Sequence, residues 1–180
     1  MDKLMLKKSP HSPAHLLLDQ AVYFITSAIY QKRPLLKPET VKQHLLDTIQ
    51  TCMTEKNWQL DHWVILDNHY HLMLTSKKGD DMPGIFRKIH GLSARFIQAQ
   101  GPCELPVWWN YWDYCPRDEK DYFIRLNYLL NNPLKHGYVT NLADYPHSSF
   151  HSTLETLGRN ALAKQFTQYS EYKNLRLEED

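Results

Sequence analysis

The chain has 180 residues, of which 42% are hydrophobic and 23% charged, a length and composition typical of one globular domain with a substantial core. Its formal net charge is only +1, so the charge balance by itself does not predict a nucleic-acid-binding protein. No apolar run is long enough to span a membrane, and three cysteines without a CxxC pair predict a cytoplasmic protein with reduced thiols.

The first half of the chain alternates strand and helix patterns. Residues 1–18 mix Lys, Pro, Ser and His without periodicity, and we expect a flexible N-terminal arm there. Residues 21–30 are rich in β-branched and aromatic side chains, which predicts a strand, and residues 37–56 carry apolar residues at helical spacing. Residues 58–66 and 69–75 are then predicted to form the two strands of a hairpin, because typical turn residues separate them.

The second half continues the alternation and adds a helix. We predict a helix over residues 82–100, an aromatic-rich strand over 107–114 and a helix over 117–132 that Pro133 ends. The order β-α-β-β-α-β is that of the ferredoxin-like fold. We therefore expect an α+β protein: an antiparallel sheet with helices on one face, plus an additional C-terminal helix that bears a tyrosine.

Two histidines follow the predicted turn at Asp67 and Asn68. Because residues two apart on a strand share a face, His69 and His71 are expected to point the same way, with Tyr70 facing the core. Two neutral imidazoles would leave positions on a bound metal open for a substrate oxygen and water. A chain with ten histidines also contains such a pair by chance, so a surface or packed pair is the alternative.

The last predicted helix places a tyrosine among polar residues. At 100° per residue, Asn132 lies about 40° and Arg125 about 60° from Tyr128, whereas Leu126 and Leu130 lie about 160° away. An ordinary surface tyrosine is the alternative, since tyrosines are common on helix surfaces. The functional interpretation is that Tyr128 is a nucleophile and that Asn132, one turn along, completes a His-His-Asn metal site.

Three segments together resemble the single-tyrosine HUH transposases, and in particular the REP-associated tyrosine transposases of the IS200-like family. The HUH motif, His-hydrophobic-His, is residues 69–71 here, with Asp67 where the family usually has proline. The family's tyrosine helix, Tyr-Ile-x-x-Asn-Pro-Val-Lys-x-Gly, is similar to residues 128–137, and its Tyr-Pro-x-Ser-Ser to residues 145–149. The resemblance spans residues 20–150, and it depends on the order and spacing of the motifs.

The resemblance implies a catalytic domain at residues 19–150, followed by a C-terminal extension at 151–180. It implies that single-stranded DNA is cut beside hairpins, often REP elements, through a covalent 5′-phosphotyrosine, and rejoined by attack of a free 3′-hydroxyl. It also implies Mg²⁺ or Mn²⁺ as the cofactor. Carried over by position, the metal ligands would be His69, His71 and Asn132, and the nucleophile Tyr128.

Cations around the predicted site are the expected phosphate contacts to single-stranded or hairpin DNA. They are Lys77, Lys78, Arg87, Lys88, Arg95 and Arg125. Four aromatic residues are candidates for stacking on unpaired bases, although strand alternation places at least two of them in the core. They are Trp108, Trp109, Tyr111 and Trp112.

Two other functions stay open at this point. A hairpin-DNA-binding protein derived from a transposase would keep the same motifs without cutting DNA. An unrelated zinc hydrolase would use the histidine pair alone, since imidazole ligands also suit Zn²⁺. The protein would act as a monomer or as a homodimer.

Overall fold

The computed structural model describes residues 15–177. Its strands are β1 (Val22–Ile29), β2 (Gln59–Ile65), β3 (His69–Thr75) and β4 (Trp108–Tyr114). Its α-helices are α1 (Glu39–Glu55), α2 (Met82–Ala99), α3 (Glu119–Lys135), α4 (Phe150–Leu157) and α5 (Arg159–Gln168). Short 3₁₀ turns include Tyr30–Lys32 after β1 and Ser170–Asn174 after α5.

The four strands form one sheet in the order β2-β3-β1-β4, and each neighbouring pair is antiparallel. Strand β3 therefore lies between β2 and β1, although α1 connects β1 to β2 along the chain. This is the split arrangement of the ferredoxin-like fold, so the predicted fold class is confirmed.

Both faces of the sheet are covered. Helices α1 and α2 pack on one face, where alternate strand residues such as Tyr23, Ile25, Tyr70 and Leu72 are buried. Helix α3 covers the other face of the sheet, the α3 face. The prediction that Tyr70 faces a core is confirmed, and the intervening histidines therefore face α3.

Helix α3 does not end where the sequence pattern predicted. The Asp118 carboxylate caps its start by accepting a hydrogen bond from the Asp121 N–H at 2.8 Å. The helix runs through Pro133 to Lys135, so the predicted end at residue 132 is wrong. Proline removes only one N–H donor, and the last turn still closes through the bond from His136 N–H to the Asn132 carbonyl at 3.0 Å. Gly137, with φ of 71°, then takes the left-handed position past the helix end.

The C-terminal residues pack against the side of α3 that faces away from the sheet. Asn127 on α3 donates to the carbonyls of Gln165 (3.1 Å) and Tyr169 (3.2 Å), and the Gln165 amide donates back to it at 2.7 Å. Leu162 and Tyr172 belong to the same hydrophobic cluster as Leu129. The expected extension at 151–180 is thus continuous, as far as residue 177, with the core around α3, and the proposed limit at 150 stays a prediction.

At the other end of the chain, the expected arm at 1–18 lies mostly outside the described residues. His15 contacts the Asp113 carboxylate, and the Leu16 N–H donates to that carboxylate at 3.0 Å. Tyr23 accepts a hydrogen bond from the Leu18 N–H at 2.6 Å. Within residues 15–177, none of the helices combines the length and the apolar character needed to cross a membrane.

Candidate active site

Strand register brings side chains from three strands together on the α3 face. In the β1–β3 pair, His71 lies opposite Thr26 and His69 opposite Ala28. In the β1–β4 pair, Trp112 lies opposite the same Thr26. Directly opposed residues of antiparallel strands share a face, so these five side chains face α3. His71 is completely buried there, which excludes a surface histidine pair.

The hydrogen bonds of Asn68 determine the protonated nitrogen of His69. The Asn68 amide nitrogen donates to the Lys32 carbonyl at 3.1 Å, and a carbonyl only accepts. The amide oxygen of Asn68 is therefore the atom 2.7 Å from His69 Nδ1, and it accepts the Nδ1–H bond. In neutral His69, Nε2 then carries the lone pair, 3.2 Å from Oδ1 of Asn132. A cation between these two acceptor atoms would be bound by both.

His71 is the second candidate nitrogen ligand, next to His69. Its Nδ1 bonds to Thr26 Oγ1 at 2.8 Å, and its ring centroid lies 5.1 Å from that of His69. Its Nε2 is buried and has no hydrogen-bond partner within the described part of the chain. Burial is the main cause that holds the pKa of His71 well below its usual value, and repulsion from His69, His136 and Lys135 in their protonated forms lowers it further. The imidazole is therefore neutral, as a metal ligand must be.

The side chains fit a small divalent cation with mixed nitrogen and oxygen ligands. Asn132 is fully buried, and its amide nitrogen lacks a hydrogen-bond partner within the described residues. A metal would orient that amide, with Oδ1 toward His69. Within residues 15–177 no group of three or more His, Cys, Asp or Glu is arranged to hold a metal, so the candidate ligand set here is two imidazoles and one amide.

Tyr128 lies beside this histidine pair and is itself 2% exposed. Its ring makes edge contacts with His71, at 5.4 Å between centroids, and with Phe24, at 6.3 Å. It belongs to the same hydrophobic cluster as Leu126 and Leu130, and its burial excludes the alternative of an ordinary surface tyrosine. The polar stripe of α3 faces the sheet and is buried, because the C-terminal residues cover the other side.

Lys135 is a candidate functional residue that the angular positions on the predicted helix did not identify. Its ammonium donates a hydrogen bond to the Tyr128 hydroxyl at 2.9 Å and lies 4.6 Å from the centroid of that ring. The two residues are seven apart, two helical turns, so they share a face of α3. Because the pattern predicted that the helix ends at residue 132, it did not place Lys135 on this helix face.

The turn before His69 has Asp67 where the family usually has proline, and Asp67 forms an ion pair in the structure. Lys42 of α1 donates to the Asp67 carboxylate at 2.6 Å and to the Lys37 carbonyl at 3.2 Å. The Lys42 side chain is only 5% exposed, so the ion pair is largely removed from water. The pair ties the β2–β3 turn to helix α1.

A cleft of about 630 Å³ opens beside the site. His69, Lys135 and His136 form its inner wall, and Lys32 lies at one side. Lys173 and Arg176, from the C-terminal residues, lie at the other side. Four cationic side chains around one cleft suit a polyanionic strand. The sequence contained no local signal for this set, whose members come from distant parts of the chain.

The structure does not bring the six predicted DNA-contact residues to this cleft. Lys77 and Lys78 follow the far end of β3, roughly 20 Å from His69 at about 3.3 Å per residue. Arg125 is buried, with its guanidinium 3.4 Å from the centroid of the Tyr114 ring. The remaining three lie on α2, across the sheet from α3, and Lys88 is paired there with Glu55. These are Arg87, Lys88 and Arg95.

The comparisons with known proteins agree with one another. The family model described as transposase IS200 like matches residues 19–115. A REP-associated tyrosine transposase of Escherichia coli (strain K12) is 30% identical over 131 residues, covering 72% of this chain and 76% of the relative. A relative from Haemophilus influenzae is 30% identical over 148 residues, covering 75% of this chain and 76% of that protein. A solved REP-associated tyrosine transposase bound to a REP hairpin matches 83% of this chain and 87% of its own, with a TM-score of 0.70 and 25% identity.

Proposed function

Because the chain belongs to the IS200-like transposases, and among them to the REP-associated tyrosine transposases, a family of DNA-cleaving enzymes, we propose that it cuts single-stranded DNA through Tyr128. The observation that carries the proposal is the 5.4 Å between the ring centroids of Tyr128 and His71 in one chain. A nucleophile and the candidate metal ligands thus meet without a second subunit, which supports a site that a monomer can complete.

The proposed reaction exchanges one phosphodiester for another. The deprotonated Tyr128 oxygen attacks the phosphorus, a bond from that oxygen to the 5′-phosphate forms, and the bond to the 3′ oxygen breaks. The 3′ oxygen takes a proton and leaves as a hydroxyl. In the rejoining step a 3′-hydroxyl loses its proton and attacks the phosphotyrosine, and the Tyr128 oxygen leaves as a phenolate.

Lys135 suits both directions of this reaction. Its ammonium, 2.9 Å from the Tyr128 oxygen, donates a hydrogen bond to the phenol. The same bond to the phenolate is stronger, because both partners are then charged. The phenolate is the attacking group in cleavage and the leaving group in rejoining. Lys135 is therefore proposed as a catalytic residue beside Tyr128.

Mg²⁺ or Mn²⁺ is the proposed cofactor, held by His69, His71 and Asn132. When bound, it would polarise the scissile phosphate and stabilise the 3′ oxygen as it leaves. The chain's own part is to orient both imidazoles, through Asn68 and Thr26, and to keep His71 neutral by burying it.

Hairpin DNA is the proposed partner, since the solved relative is described as bound to a REP hairpin. The cationic cleft would hold the single strand near Tyr128. Lys77, Lys78, Arg87, Lys88 and Arg95 keep their proposed role as DNA contacts away from the cut phosphate, whereas Arg125 is buried against Tyr114 and is not proposed to touch DNA. Action on chromosomal DNA places the protein in the bacterial cytoplasm under this proposal.

The test is formation of a covalent protein–DNA adduct. Wild-type protein is incubated with hairpin oligonucleotides carrying single-stranded flanks, with Mg²⁺ or Mn²⁺, and adducts are resolved by denaturing electrophoresis. We expect an adduct in the wild type and none in Tyr128→Phe, which retains the buried ring and should still bind the hairpin.

Two other outcomes would contradict the proposal. Tight hairpin binding without an adduct, in every metal, would indicate a binding protein that does not cut. Phosphodiester cleavage that persists in Tyr128→Phe and requires Zn²⁺ would indicate a zinc hydrolase.

A further inference from the structure

A second, aromatic cavity lies beside the cationic cleft and has no role in the reaction described above. We propose that this cavity binds one unpaired nucleobase of the DNA strand whose phosphate is at Tyr128. The inference rests on the proposed function and adds a base-binding subsite to it.

The cavity has the size and lining of a base-stacking site. Its volume is about 310 Å³, at the small end of the range for ligand pockets. Tyr30, Trp109 and Trp112 supply its aromatic walls. The Tyr30 and Trp109 rings are stacked, with centroids 5.2 Å apart and planes 29° apart. A planar base can extend such a stack whatever its identity.

Strand alternation separates these aromatic residues from those of the core. Trp108 and Tyr111 of β4 face α2, where Trp108 stacks on His90 and Tyr111 on Phe86. Trp112 points to the α3 face, because it lies opposite Thr26. Trp109 is 39% exposed. Neither indole belongs to the two hydrophobic core clusters, so both can contact a ligand in the cavity.

The cavity adjoins the cleft of the proposed active site. Ala28 and Lys32 line both the aromatic cavity and the cationic cleft. Asn68 links them physically, since it donates to the Lys32 carbonyl and accepts from His69. A strand whose phosphate lies near His69 can therefore place a neighbouring base against Trp112, with Lys32 near the phosphate that joins them.

The loop between cavity and cleft is held in an unusual conformation. Gln31 and Lys32 have φ of 60° and 52°, in the left-handed region that non-glycine residues rarely occupy. Arg33 braces this loop: it donates to the carbonyls of Tyr30 at 3.0 Å and Glu104 at 2.8 Å, and also to that of Pro106. Such strain persists where the surroundings enforce it, commonly at binding sites. The Gln31 amide, at the cavity wall, has the donor and acceptor needed to read a base edge.

The test combines mutation of the cavity with removal of single bases from the DNA, and it measures DNA affinity. In a Tyr128→Phe background, which prevents cutting, affinities are measured for a hairpin oligonucleotide with single-stranded flanks and for a series in which each flank position in turn lacks its base. Adding Trp112→Ala is expected to weaken binding of the intact oligonucleotide about 5- to 100-fold. In the protein that retains Trp112, removal of the base at one flank position should weaken binding by a similar factor. With that abasic oligonucleotide, Trp112→Ala should not weaken binding further.

Three controls keep the result specific. Trp112→Phe should retain most of the affinity, because a ring remains for stacking. Trp109→Ala should reproduce the effect if Trp112→Ala fails to fold, as judged by circular dichroism. Leu157→Ala truncates an exposed apolar residue on α4 that lines neither the cleft nor the aromatic cavity, and it should leave affinity unchanged.

Some results would overturn the subsite while leaving the proposed function intact. One such result is unchanged DNA affinity in both tryptophan variants. The other is that the loss of affinity from Trp112→Ala multiplies with the loss from each abasic position, with no position at which the two losses overlap. In either case the wild-type protein would still form its adduct through Tyr128. Absence of that adduct on all hairpins would instead contradict the proposed function itself.

Discussion

The chemistry proposed for this protein depends on a few single contacts around Tyr128 and His69. Asn68 is a clear example: one amide bonds to a backbone carbonyl on one side and to His69 Nδ1 on the other, so it selects the nitrogen that can bind a metal. Thr26 holds His71 in the same way from the neighbouring strand. Such partners of the ligands orient the imidazoles, and their loss commonly weakens metal binding by about 10- to 100-fold.

Lys135 gives a prediction at this residue scale. Replacing it with methionine removes the charge-assisted hydrogen bond to the Tyr128 oxygen, and we expect the single-turnover rate of adduct formation to fall about 100-fold at saturating DNA. Lys135→Arg keeps the charge and a donor, and it should recover a substantial part of the rate. Quenched-flow or manual sampling of the adduct measures both.

Lys164→Met is the matched control, since Lys164 is exposed on α5. It should cut at the wild-type rate. A Lys135→Met protein that binds DNA more weakly but forms the adduct at an unchanged rate would assign Lys135 to DNA binding alone.

At the scale of elements, the site depends on how the β2–β3 turn and helix α3 are held. The turn carries His69 and is tied to α1 by the buried pair of Lys42 and Asp67. Helix α3 carries Tyr128, Asn132 and Lys135 on its sheet-facing side, while Asn127 on another side bonds to α5. The C-terminal residues thus pack on the side of α3 away from the sheet, and they also contribute Lys173 and Arg176 to the cleft.

The Lys42–Asp67 pair gives a prediction at this scale. Asp67→Ala leaves the Lys42 ammonium buried without its charged partner, and we expect the free energy of unfolding to fall by about 3 kcal/mol. Adding Lys42→Met removes the isolated charge and keeps most of the buried volume, so much of the loss should be recovered. Urea unfolding followed by circular dichroism measures the cycle.

Lys37→Met, at an exposed residue just before α1, serves as a control for charge removal alone. Additive losses in the double variant would show that the two side chains do not stabilise each other.

At the scale of the whole molecule, closing both faces of the sheet buries histidines that must stay neutral. Desolvation lowers the pKa of His90 to about 3 and also lowers that of His62. His90 is enclosed by the Trp108 ring, 4.5 Å away between centroids, and bonds to the Tyr70 hydroxyl at 2.9 Å. These residues stabilise the fold only while unprotonated.

The pH dependence of stability follows from this. An unfolded histidine takes up a proton near pH ~6.5, whereas folded His90 takes one up only near pH 3. Between these values the unfolded state binds more protons, so the free energy of unfolding should decrease as pH falls, by up to about 1.4 kcal/mol per pH unit for His90. Above about pH 7 this contribution to the pH dependence vanishes.

Urea titrations at several pH values, with a chelator present to exclude metal effects, measure this slope. His90→Gln, which cannot be protonated, should flatten it. An unchanged slope in His90→Gln would show that His90 is not responsible.

The sequence by itself determined the elements and much of the chemistry. Periodicity identified all four strands and the helices of the ferredoxin-like core. Alternation along β3 placed His69 and His71 on the face of the sheet that Tyr70 does not occupy. The four-residue spacing of Tyr128 and Asn132 put both on one side of a helix, because these relations follow from local backbone geometry alone. Only the tertiary structure decided which faces are buried. Helix α3 is covered on two sides, so its polar stripe lies inside, and its last turn continues through Pro133 to bring Lys135 to Tyr128. The cationic cleft and the aromatic cavity combine residues far apart in the chain, which no local pattern relates, since their proximity depends on strand order and on the packing of the C-terminal residues.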